Sequence, residues 1–174
     1  MITGWIRVSA ILSAGLCCHG QDLAEFAKSH LPEGAELAHP PVAGSFGPAG
    51  KHIVLLYRPL NDSGEFKGSV YIGGERPSEL PEIGLIPNQF AIEVQSVFFE
   101  KPAAGASADL FILYAYHRNG SESDDGYACL IYRWRDNRFV RVNDLEKKVT
   151  NLPTAAAVRR RLRQIHPNSG GSKQ

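Results

Sequence analysis

Cysteine is scarce in this chain. There are three in 174 residues, and two of them, Cys17 and Cys18, stand together near the start. That count excludes a disulfide-stapled scaffold. Charge of one sign is equally missing. Lys and Arg number 19 against 18 Asp and Glu, a formal net charge of +1. No long-range field gathers nucleic acid or anionic lipid, so neither is expected as a partner. No apolar run approaches the ~20 residues of a membrane-spanning helix, which excludes an integral membrane protein built from helices. The histidines include no close metal-binding pair of the His-x-x-x-His kind, so no metal or other cofactor is expected. What remains is 43% hydrophobic and 21% charged. Those proportions exclude a disordered or collagen-like chain and suit one globular domain.

The first twenty residues have the layout of a secretory signal peptide. Arg7 supplies a positive n-region, Val8 to Cys18 an apolar core, and Gly20 a small residue before a cleavage point. This places the protein outside the cytoplasm, in the periplasm or beyond. A lipid anchor on Cys17 is the alternative, but Leu16 stands where a small residue belongs. Removing residues 1–20 leaves Cys129 alone. It lies in the apolar stretch Tyr127 to Tyr132 with no histidine or cationic cluster adjoining it. It reads as a buried, inert thiol.

The mature domain is expected over residues 21–166, with a disordered tail over 167–174. Leu23, Phe26, Ala27 and Leu31 share a helical face that Pro32 ends. Residues 39–41 and 44–50 read as irregular, and residues 76–88, with three prolines, as a loop. The all-apolar runs from Ile53 to Tyr57 and from Leu110 to Tyr116 predict strands covered on both faces. From Phe90 to Phe99 the alternation slips parity, which predicts a bulge near Ser96. Asp136 and Asn137 form the turn of a last hairpin. Thr154 caps a final helix whose face carries Ala155, Val158, Leu162 and Ile165. The expected fold is α+β: a mainly antiparallel sheet built from two similar hairpins, with an N-terminal and a C-terminal helix. Its sheet core is expected at Ile53, Leu55, Tyr57, Val94 and Phe99. Phe111, Leu113, Leu130, Tyr132 and Val140 complete it.

An internal echo supports the two hairpins. Leu56 and Tyr57, a polar loop, then Gly68 match Leu113 and Tyr114, a polar loop, then Gly126. The stretch from Glu100 through Gly105 to Asp109 and Leu113 resembles the repeat units of FG-GAP-type proteins, which recur in bacterial secreted proteins. The resemblance implies calcium held by loop acids. Pro102 and Ala104 occupy the ligand positions here, so no metal is expected.

Candidate chemistry is sparse. Ala43 to Gly47 matches a relaxed nucleophile elbow, but flanking prolines spoil the strand-to-helix context. The acids Glu122, Asp124 and Asp125 lack the alternation of a calcium hand. Arg159, Arg160, Arg161 and Arg163 have no interleaved aromatics and read as a solvated helix face. Two Asn-x-Ser sequons occur, at Asn61 and Asn119. The densest cluster of contact-forming side chains is the segment from Tyr116 to Tyr127, read as a hairpin loop. Its candidate binding residues are Tyr116, His117, Arg118, Asp124 and Tyr127. The leading expectation is therefore an exported, non-enzymatic binding module acting on another protein, as an inhibitor or immunity-type protein does. The alternatives are a small extracytoplasmic hydrolase with His117 as general base, and a structural envelope protein.

Overall fold

The computed structural model describes residues 19–46, 51–60, 66–73, 77–81, 83, 90–102, 106–118 and 126–167. Residues up to 18, residues from 168 on, both sequons and the acids among 122–125 lie outside the described residues. Helix α1 (His19–His30) precedes four strands, β1 (Ala35–Gly44), β2 (His52–Pro59), β3 (Lys67–Ile72) and β4 (Pro77–Glu79). Four more strands follow: β5 (Phe90–Glu100), β6 (Asp109–Arg118), β7 (Gly126–Arg135) and β8 (Arg138–Arg141). Helices α2 (Asn143–Val149) and α3 (Ala155–Ile165) close the chain. The class is α+β, but the expected single sheet is two. Each is a four-stranded antiparallel meander in sequence order, β1-β2-β3-β4 and β5-β6-β7-β8. No described helix is long and apolar enough to cross a membrane.

The layers follow from strand alternation. Val54 and Leu56 on β2, and Ile112 and Tyr114 on β6, point into one core between the sheets. Leu55 on β2 points the other way, onto Ala27 of α1. Phe111 and Leu113 of β6 point onto Val158 and Leu162 of α3. The result is a helix–sheet–sheet–helix sandwich. The continuous apolar runs are therefore explained, because both faces of β2 and β6 are covered. The register shift between Val94 and Ser96 is the bulge expected from the parity slip. It lets Ile92, Val94 and Val97 all face the central core while Phe98 stacks on Phe111 on the helix side, with ring centroids 5.1 Å apart. Asp136 and Asn137 take φ of 50° and 59° and join β7 to β8 through a two-residue turn. The Thr154 hydroxyl accepts the Ala157 amide at 3.1 Å, the cap expected of it.

Three sequence expectations need correction. Residues 39–41 are not irregular: they belong to β1, an edge strand whose register shifts around His39 accommodate Pro40 and Pro41. Residues 77–79 form the short edge strand β4 rather than loop. Val140 is only half-buried, and its neighbour Phe139 supplies the core contact, at 4% exposure. Ile53 and Phe99 are likewise half-buried, Ile53 on the α1 side of the first sheet and Phe99 against the central core. Helix α2 went unread, although Leu145 and Val149 bury at helical spacing.

The echo falls on equivalent strands, second and third in each sheet, but its tyrosines do not correspond. Tyr114 faces the central core, whereas Tyr57 shares the parity of outward Leu55. In the ladders Gly68 opposes Leu56 and Gly126 opposes Tyr116. The topology repeats and the side-chain pattern does not.

Phe111 is fully buried and Leu37 is 39% exposed. Urea denaturation is expected to show a loss of about 3–5 kcal/mol for Phe111→Ala and a change within about 0.5 kcal/mol for Leu37→Ala.

Candidate functional site

The β6–β7 hairpin carries most of the sequence-expected binding residues. They are strand residues rather than loop: Tyr116, His117 and Arg118 end β6, and Tyr127 is the second residue of β7. Asp124 and the Arg118 side chain lie outside the described residues. Cross-strand pairing sets Tyr116 opposite Gly126 and Ala115 opposite Tyr127. Alternation then divides the candidates. Tyr116 lies on the face toward the opposing sheet and packs at the margin of the central core. Tyr127 packs on the helix side, the face His117 shares by parity. The structure thus brings His117 and Tyr127 to one face and places Tyr116 on the other.

The hairpin end is fixed from both sides. The Tyr116 ring lies directly across Gly126. A Cβ built on Gly126 would fall 2.4 Å from the Tyr116 hydroxyl oxygen, so the ring occupies the space that a side chain at 126 would take. On the other face, the Asn151 amide donates to the Tyr127 carbonyl at 2.9 Å and ties the α2–α3 connection to β7. His117 is exposed beyond this braced region, while Tyr116 and Tyr127 are half-buried. Arg58, at the end of β2, reaches the same end of the sandwich. Its Nη2 donates to the carbonyl of Ile92, the residue paired with Tyr116. Its buried Nε has no hydrogen-bond partner among the described residues. Sequence reasoning missed Arg58, because nothing local in β2 reveals that the second sheet will cross it.

The ionisable groups of the hairpin interior are unsuited to proton transfer near neutral pH. Burial pushes the Tyr114 phenol up to about 12, with nearby Arg141 pulling the other way. Burial, reinforced by the carboxylate of Glu146, pushes the Cys129 thiol up to about 12. Cys129 is 2% exposed, as its apolar neighbours in sequence implied.

At the opposite end of β6 and β7, charge pairs do structural work. Arg133 donates from Nε and Nη2 to Asp109, at 3.0 and 2.7 Å. The hydrogen bonds to that carboxylate, outweighing burial, raise the guanidinium pKa further. Arg159 donates to Glu100 at 2.8 Å and lies over the Phe98 ring. Glu100 at the end of β5 and Asp109 at the start of β6 are thus both engaged by arginines. Arg141 pairs with Glu146, whose Oε1 also accepts the Ile131 amide at 2.9 Å. Ser45, the serine of the elbow-like stretch, follows strand β1 directly, and its neighbour Phe46 plugs the central core. Among the described residues no three His, Cys, Asp or Glu side chains are grouped to hold a metal. Comparison with protein-family models, curated proteins and solved structures gives no match.

With its pKa near 12, the Cys129 thiol is ionised about a thousandfold less at pH 8 than one at 9. In a chain carrying Cys17→Ser and Cys18→Ser, a disulfide dye at pH 8 is expected to leave the folded protein unlabelled and to label it fully in denaturant. Fast labelling of the folded protein would contradict this burial.

Proposed function

We propose that the protein is an exported, non-enzymatic binding module that engages another protein through the end of the β6–β7 hairpin. The observation that carries this reading is the bracing of that end. Tyr116 packs over Gly126 on one face and the Tyr127 backbone is tied to the helical layer, while His117 stands exposed beyond them. A braced platform bearing the half-exposed rings of Tyr116 and Tyr127 and the exposed His117 loses little entropy on docking. Tyrosine and arginine are the residue types that contribute most at such contacts. Export rests on the layout of the first twenty residues, with Arg7 ahead of an apolar core and Gly20 behind it. Under this reading the partner lies in the periplasm or outside the cell.

The test is recovery of partners from periplasmic extract on immobilised protein. The His117→Ala/Arg118→Ala double variant is expected to lose a partner that the wild-type chain retains. Equal recovery of every partner by both proteins would remove this surface from the reading.

A further inference from the structure

The layer formed by α2 and α3 is strongly basic. Residues 143–166 hold six Lys and Arg against two Asp and Glu, so the remaining chain is net acidic and the overall charge of +1 conceals a segregation. Leu145 and Val149 of α2, and Val158 and Leu162 of α3, bury against the second sheet. At about 3.6 residues per turn, Lys147 then projects from the far side of α2, and Arg160 and Arg163 from the far side of α3. All three are exposed. We propose that this face holds the protein on an anionic lipid surface by charge, with no segment inserted.

The fold gathers these cations instead of dispersing them. Arg161 donates from Nε to the Lys148 carbonyl at 3.3 Å. That bond sets a guanidinium beside the last turn of α2, which already carries Lys147 and Lys148. Counter-ions are lacking. Glu146 is held by Arg141, and Glu100 engages Arg159 on the flank of α3. Lys147, Lys148, Arg160, Arg161 and Arg163 form no ion pair among the described residues. Asp144, exposed in the first turn of α2, is the acid left on this face. The helix dipole accounts for cations in a last turn, but Arg160 lies ahead of the last turn of α3.

The residue types select the occupant. A protein interface is centred on aromatic and apolar anchors, and residues 143–166 contain no Phe, Tyr or Trp. The large hydrophobic side chains exposed among the described residues, Leu37 and Leu60, belong to the first half of the chain. Stacking platforms for single-stranded nucleic acid are missing for the same reason. A lipid headgroup layer needs neither pockets nor rings. It attracts a cluster of Lys and Arg through its smeared negative charge. With the apolar stripes of both helices already buried in the domain, contact is electrostatic and reversible. The inference does not depend on the function proposed for the hairpin end.

The experiment is co-sedimentation of the full chain with vesicles, of phosphatidylcholine alone or mixed in equal parts with phosphatidylglycerol. Binding is expected to rise with the anionic lipid and to fall as salt is added. Lys147→Gln/Arg160→Gln/Arg163→Gln is expected to weaken it about fivefold per cation removed. Lys28→Gln/Lys51→Gln/Lys67→Gln removes as much charge from the first half of the chain and is expected to bind as the wild type does. All three proteins share residues 1–20, so lipid binding by that apolar run cancels between them. The salt titration of the wild type needs no variant to fold. Equal binding to both vesicles, equal loss in both triple variants, or salt-insensitive binding would overturn the proposal. Release from the vesicles by poly-glutamate or duplex DNA at matched charge would assign the face to an acidic polypeptide or a nucleic acid instead, and would overturn it too.

Discussion

The apolar layer between the two sheets is the constraint on which everything else rests. Each meander is apolar on its inner face, and neither buries that face alone. Phe66 and Val70 from the first sheet meet Leu110, Ile112 and Tyr132 from the second, all at or near zero exposure. Aromatic rings knit the layer. Phe46, following β1, lies 4.9 Å from Phe99 and 5.3 Å from Phe139, both on the second sheet. A Cβ on Gly44 would fall 2.1 Å from the Phe99 ring, so glycine makes room for the approach of β1 to β5. Among the described residues, polar ties also cross between the sheets' halves of the chain. The Tyr132 hydroxyl donates to the Pro81 carbonyl at 3.1 Å, and Arg58 bonds the Ile92 carbonyl.

Once the sheets face each other, the outer layers follow. The outward side chains of β2 and β3 need a cover, and α1 provides it through Phe26 and Ala27 against Leu55 and Tyr71. Those of β6 and β7 are covered by α2 and α3. Charge pairs then fasten the second half of the molecule, Arg159 to Glu100 and Arg141 to Glu146. The two ends of the β6–β7 ladder acquire different characters as a result. One end is braced by packing around Tyr116, Gly126 and Tyr127. The other is braced by the Asp109–Arg133 pair.

Much of this was legible in the sequence, for identifiable reasons. Period-two patterns, unbroken apolar runs and turn residues are local signals, so β2, β6, the Ser96 bulge, the Asp136–Asn137 turn and the Thr154 cap were readable. Strand β1 was not, because its prolines mark a loop unless one knows that it lies at an edge. The division into two sheets was also hidden, since a meander written in sequence does not say where it folds over. The candidate residues near Tyr116 were found by residue type, but their placement on opposite faces required the register. The Arg133–Asp109 pair joins residues on different strands and leaves no sequence signature.

The central claim is that the shared layer makes both sheets one cooperative unit. Native-state hydrogen exchange in low denaturant measures this directly. The account predicts that the amides of Leu56 and Val70 in the first sheet and of Ile112 and Leu130 in the second exchange through a single global opening of the same free energy. A separate, lower-energy opening confined to one sheet would contradict it.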